Sequence, residues 1–113
     1  MKLEVGMYAR TKGGFIDKII SFKSTISNDY VELEDEYYAN KKDILKASHN
    51  IIDLIEEGDY VNGCKVIDFM YSKEKKRSVI VDSEIWGFDA EEIKSIVTKE
   101  MFSNISYEVS KWY

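Results

Sequence analysis

Apolar residues fall at every second position along several short stretches of this chain, and glycine or polar residues interrupt them. Period-two alternation marks strands with one buried face. Residues 7–11 predict a first strand, and Lys12-Gly13-Gly14 predicts the turn after it, where glycine supplies positive φ. Residues 15–22 predict a second strand with Ile16, Ile20 and Phe22 on one face. Residues 23–29 predict a polar loop. Residues 30–33 predict a strand with Val31 and Leu33 inward, and an acidic turn at Glu34-Asp35 leads to a strand over 36–38. Asn40 is placed to cap a single helical or 3₁₀ turn, and residues 44–47 close the set as a last strand.

The same plan then recurs. Leu3-Glu4-Val5-Gly6-Met7-Tyr8 returns as Ile55-Glu56-Glu57-Gly58-Asp59-Tyr60, and Asn40-Lys41-Lys42-Asp43-Ile44 returns as Asp89-Ala90-Glu91-Glu92-Ile93. Asn62-Gly63 is a strong hairpin signal, because a type I′ turn needs positive φ at both central positions. Residues 64–72 predict the long strand, with Ile67, Phe69 and Tyr71 matching Ile20 and Phe22. Residues 77–82 carry Val79 and Val81 inward, and residues 84–88 pair back. Asp89 repeats the cap, with Glu92 completing a capping box. Ile93, Ile96 and Val97 fit helical spacing as well as a strand; the shortness of the matching segment 44–47 favours the strand. Residues 98–104 predict one helical turn with Met101 and Phe102 inward, and residues 107–109 an edge strand.

Five short strands with a one-turn helix before the last is the order of an SH3-like small barrel. The expected fold is therefore mainly β, a tandem repeat of two SH3-like small β-barrels with one-turn helices and a short C-terminal extension. The expected boundaries are 1–49, 50–98 and 99–113, packed as one compact unit. A repeat of about 50 residues is marginally stable alone, so shared contacts or homo-oligomerisation are expected.

Composition narrows the function. The chain has 113 residues, 16 Lys and Arg against 21 Asp and Glu, and a formal net charge of −5. That balance argues against direct nucleic-acid binding through a basic footprint. One cysteine, Cys64, forms no intrachain disulfide, the N-terminal residues lack a signal-peptide apolar core, and no apolar run approaches the ~18 residues that span a bilayer. A cytoplasmic protein without membrane contact is expected.

Catalytic equipment is sparse. His49 is the only imidazole and lies between the two copies, and Cys64 has no sequence neighbour that would activate it. Phosphate loops, dinucleotide-binding glycines, metal-ligand spacings and nucleophile elbows are absent. The expectation is a non-enzymatic protein without cofactor or metal. Two sets of residues remain as binding candidates. The two arginines, Arg10 and Arg77, stand among aromatics, and Tyr8, Arg10, Tyr60, Arg77 and Trp86 would suit a nucleotide-like ligand, its base on a ring and its phosphate on a guanidinium. Glu32, Glu34, Asp35, Glu36, Glu56 and Glu57 would instead form an acidic face that imitates nucleic-acid phosphates and steers a basic protein partner.

The run Asn50-Ile-Ile-Asp-Leu-Ile-Glu-Glu-Gly-Asp-Tyr-Val-Asn-Gly-Cys-Lys-Val66, with residues 93–102, resembles a group of small uncharacterised accessory proteins of phages and prophages of low-GC Gram-positive bacteria. The resemblance covers the second half better than the first. It implies an accessory protein made inside a bacterial host and brings no activity with it; small phage accessory proteins often act on host defence. Trapping a nucleotide immune signal is the first expectation. Blocking a defence nuclease, or a neutral structural or regulatory role in the phage, are the alternatives.

Overall fold

The computed structural model describes residues 2–35, 37–74, 76–82 and 87–101. The chain is mainly β, with two antiparallel sheets and short 3₁₀ turns. It forms two compact units, one ending at Leu54 and the other starting at Ile55.

In the first unit the strands are β1 (Tyr8–Thr11), β2 (Ile16–Ser24), β3 (Asp29–Leu33), β4 (Tyr37–Asn40) and β5 (Ile44–Ser48), in the sheet order β4-β3-β2-β1-β5. A 3₁₀ turn, Lys41–Asp43, separates β4 from β5, and the Asn40 side chain accepts the Lys42 N–H as its cap. A second 3₁₀ turn, Ile51–Leu54, buries Ile52 and Leu54 and packs on β1 and β5. The unit therefore closes after Leu54, beyond the expected boundary at residue 49. In the second unit the strands are β6 (Tyr60–Val61), β7 (Cys64–Tyr71), β8 (Arg77–Val81) and β9 (Ile96–Val97), in the order β8-β7-β6-β9.

The repeated apolar-Glu-x-Gly-x-Tyr motif has a local physical cause. Met7 N donates to Glu4 O and Asp59 N donates to Glu56 O, closing one β-turn in each unit. The third residue of each turn is a glycine, Gly6 at φ +95° and Gly58 at φ +96°. A type II turn demands positive φ there. Each turn is then tied to the long strand: Gly6 N to Ile19 O, and Gly58 N to Val66 O, both at 2.9 Å. Asn62 and Gly63, at φ 51° and 82°, form the expected hairpin turn.

The long strands correct the sequence expectation. Ile20, Phe22, Ile67 and Tyr71 are exposed, whereas Ile19 and Val66 are buried. Ile20 and Ile67 are the extra residues of a bulge in each strand. Ile19 pairs with Leu33 while Ser21 pairs with Glu32, and Val66 pairs with Val81 while Asp68 pairs with Ile80. Such bulges shift the side-chain alternation by one position. The first core is Ala9, Ile19, Val31, Leu33, Ala39 and Ile44, with Leu3 and Met7 against it. Val31, Leu33, Val79 and Val81 point inward as expected. Among the described residues the fourth strand reaches Asn40, beyond the expected end at residue 38, because Ala39 and Asn40 continue the pairing with Val31 and Tyr30.

Between Asp89 and Val97 the chain makes a 3₁₀ turn, Ala90–Glu92, with the Asp89/Glu92 capping box, and then β9. Asn62 decides against a longer helix. Its Oδ1 accepts the backbone N–H of Lys94 at 2.8 Å and of Ser95 at 3.1 Å, and its Nδ2 donates to Glu92 O at 2.9 Å. Those amides would otherwise close helical bonds. Residues 99–101 are helical. The expectations for Glu36, for residues 84–86, including Trp86, and for residues 102–113 fall outside the described residues.

Gly87 is the tightest backbone position. It has φ +71°, and an added Cβ would lie 2.1 Å from Val79 O. Gly63 has φ +82° but open space around it. Gly87→Ala is expected to cost about 2–4 kcal/mol in denaturant unfolding, through collision as well as strain. Gly63→Ala is expected to cost only about 1–2 kcal/mol, from strain alone. Equal losses at the two positions would refute the collision.

Candidate functional site

Arg10 is buried and Arg77 partly buried. Arg10, on β1, is 0% exposed, and its Nη1 donates to Leu54 O at 3.0 Å. Arg77, on β8, is partly buried; its guanidinium carbon lies 3.6 Å from the Phe69 ring centroid, and Nη2 donates to Ile55 O at 3.1 Å. The buried Arg10 guanidinium, held on a carbonyl, presents no surface to a phosphate, and the partly buried Arg77 is turned onto a ring and a carbonyl of its own unit. Tyr8 belongs with Arg10 in the first unit and Tyr60 with Arg77 in the second; both rings are half-buried. Lys18 Nζ lies 5.6 Å from the centre of the Tyr8 ring.

The acidic set also divides. Glu32 accepts from the Ser21 hydroxyl at 2.7 Å and from the Tyr38 hydroxyl at 3.2 Å. The Ser21 bond is the main reason its carboxyl lies below the ordinary value; partial desolvation opposes the shift, and Tyr38 and Lys23 assist it. Lys23 is raised, first by its hydrogen bond to Tyr38, then by the charges of Tyr38 and Glu32. These side chains share the outer face of β2, β3 and β4 and satisfy one another. In the second unit Glu56 pairs with Lys99 at 2.8 Å, a hydrogen bond that raises the lysine. Glu57 is exposed.

Glu34 and Asp35 are different: both are exposed, at a turn that the fold holds firmly. Glu34 N donates to Lys18 O at 2.9 Å, and Asp35 N donates to Asp17 Oδ2 at 2.9 Å. Asp17 Oδ1 accepts the Lys18 N–H at 2.8 Å, which orients the carboxylate that clamps the turn. Beside this turn stand two aromatic rings. Phe15 is 49% exposed and Tyr37 43%, with centroids 5.5 Å apart and planes tilted by 39°. Phe15 is set by Thr11, whose Oγ1 accepts the Phe15 N–H and whose own N–H donates to Phe15 O. In an antiparallel meander the β1–β2 and β3–β4 turns occupy one end of the sheet, which brings the two rings together.

This acidic–aromatic end is the candidate site. Rings carry negative faces and carboxylates carry charge, so the arrangement favours a cationic surface. The acidic half, Glu34 and Asp35, was visible in the sequence. Phe15, Tyr37, Thr11 and Asp17 were not singled out, and the order of the turns was the one signal that could have joined them. Among the described residues, no group of three or more His, Cys, Asp or Glu side chains is placed to hold a metal ion, and no helix is long and apolar enough to cross a membrane. His49 is exposed and its Nε2 lies 3.0 Å from Glu4 Oε2. The half-buried Cys64 thiol lies against Asn62 O. Compared with protein-family models, curated proteins and solved structures, the chain has no match.

Two predictions arise from these positions. Arg10→Ala is expected to lower stability by about 2–4 kcal/mol in denaturant unfolding, because it opens a void and leaves the Leu54 carbonyl without its donor. A stability unchanged by that substitution would contradict a packing role. Because Glu32 is depressed in the folded chain, its contribution to stability is present above the ordinary value of 4.5 and is lost as pH falls through the folded value. Ser21→Ala should move the NMR titration of the Glu32 carboxyl upward, toward 4.5; no movement would remove the hydroxyl as the cause.

Proposed function

We propose that the chain is a non-enzymatic binding protein built from two copies of one SH3-like barrel module, and that it acts by occupying a basic surface on a partner protein. The observation that carries this reading is the division of charge. Both arginines are engaged within the fold, while Glu34 and Asp35 project beside two half-exposed rings. A phosphate ligand needs accessible cations, and a basic protein needs accessible anions and rings.

The module reading rests on hydrogen bonds that recur between corresponding residues. Ile19 N to Met7 O corresponds to Val66 N to Asp59 O, and Glu34 N to Lys18 O corresponds to Asp82 N to Lys65 O. The resemblance to phage accessory proteins supplies the setting, a bacterial host cell, and the kind of partner, a defence nuclease with a basic groove. Steering by opposite charge would speed that encounter and make it salt-dependent.

The test is co-elution of the purified protein with a purified host defence nuclease on a sizing column, followed by affinity measurement. Glu34→Lys with Asp35→Lys is expected to weaken the complex at least about tenfold and to flatten its salt dependence. Saturable calorimetric binding of a cyclic or linear nucleotide, without any complex with the nuclease, would overturn the proposal in favour of signal sequestration.

A further inference from the structure

The other end of the first sheet carries a second feature, independent of the acidic–aromatic end. The turn between β2 and β3 places Ile26 fully in solvent, at 109% of its reference accessibility. A mobile loop could expose an isoleucine at random, but this turn is braced. Thr25 N donates to Asn28 O at 2.8 Å, Thr25 Oγ1 donates to the same oxygen at 3.1 Å, and Asn28 N donates back to Thr25 Oγ1 at 3.1 Å. Asn40 Nδ2, beside the first 3₁₀ turn, donates to Asn28 Oδ1 at 3.3 Å. The apolar side chain is thus held out by a turn tied to itself and to the next element.

Ile26 forms one wall of an open groove of about 670 Å³. Leu3 adds apolar surface, and Lys41 and Lys42 line it from the 3₁₀ turn. Asp29 also lines the groove, which leaves the cations in excess. Among the described residues, no carboxylate pairs with either Lys41 or Lys42. We infer that this groove is a docking site for an acidic protein segment bearing an apolar side chain, which packs on Ile26 and Leu3 while its carboxylates meet Lys41 and Lys42. Burying an isoleucine side chain is favourable because it takes apolar surface out of water. A preorganised turn loses little freedom on binding, so most of that gain is kept. The two ends of the first unit then select opposite charges, a basic surface at one and an acidic segment at the other.

The probe is the acetylated, amidated pentapeptide Asp-Leu-Glu-Leu-Asp, titrated into the isotope-labelled full chain by NMR. Saturable shifts confined to Ile26, Asn28, Lys41 and Lys42 are expected, with Ile26→Ser weakening binding roughly five- to tenfold. Lys41→Gln with Lys42→Gln is expected to weaken it similarly. These side chains are exposed, so the variants should keep the parent thermal midpoint. The inference is overturned if no saturable shift appears by about 5 mM peptide. It is equally overturned if the version with lysine in place of each acid binds as well, or if Ile26→Ser leaves affinity unchanged. Sedimentation with anionic phosphatidylglycerol vesicles that requires Ile26, without peptide binding, would assign the surface to lipid and reject the protein segment.

Discussion

One extra residue in each long strand determines what this protein buries. Without the bulges after Ile19 and Val66, strict alternation would turn Phe22 and Phe69 to the face opposite that of Ile19 and Val66. With them, Phe22 lies opposite Val31 and Phe69 opposite Val79, while the backbone groups of the buried Ile19 and Val66 meet the turns before β1 and β6: Ile19 with Gly6 and Met7, Val66 with Gly58 and Asp59. The bulge also bends the strand, so its first part pairs with one neighbour and its second part with the other. The glycine turns, the core and the position of the acidic turn after β3 all depend on that bend.

Features with local causes were legible in the sequence. The turns at Gly6 and Gly58, the Asn62-Gly63 hairpin and the cap at Asn40 each rest on a conformational need met within a few residues. The strand at Ile96–Val97 could also be anticipated, by analogy with the earlier copy. The inward residues of β2 and β7 were not legible, because a bulge is a property of the pair: it appears only when Leu33 and Glu32, or Val81 and Ile80, fix the register opposite. The burial of Arg10 was not legible for a related reason. A guanidinium among aromatics looks the same in sequence whether it faces solvent or a carbonyl, and the acceptor of Arg10, Leu54 O, lies far away in the chain. Glu34 and Asp35 were visible as candidate acids, but the rings beside them came from separate turns.

The two units put similar backbones to different use. Met7 and Asp59 hold equivalent places after the first turn. Met7 packs on the core, whereas Asp59 is fully buried and accepts the N–H of Glu56 through Oδ2 and of Lys99 through Oδ1. In the second unit that carboxylate therefore ties the segment after β9 to the first turn. Ala39 and Phe88 are likewise equivalent, opposite Val31 and Val79. The large ring at Phe88 accompanies the close passage of Gly87 over the Val79 carbonyl. The two units differ where side chains leave the hydrogen-bond plan that both use.

That pattern explains why recognition is sought at the ends of the first sheet. Its middle is closed by the core within and by the Ser21–Glu32–Tyr38–Lys23 set outside, groups whose bonding capacity is already used. The turns are where side chains stand in solvent while the backbone beneath them is held. Asp17 clamps one end, and the Thr25–Asn28 bonds brace the other. A held turn loses little conformational freedom on contact, so even a small surface can select its partner. With carboxylates and rings at one end and lysines and an isoleucine at the other, the two proposed contacts differ in the charge they select.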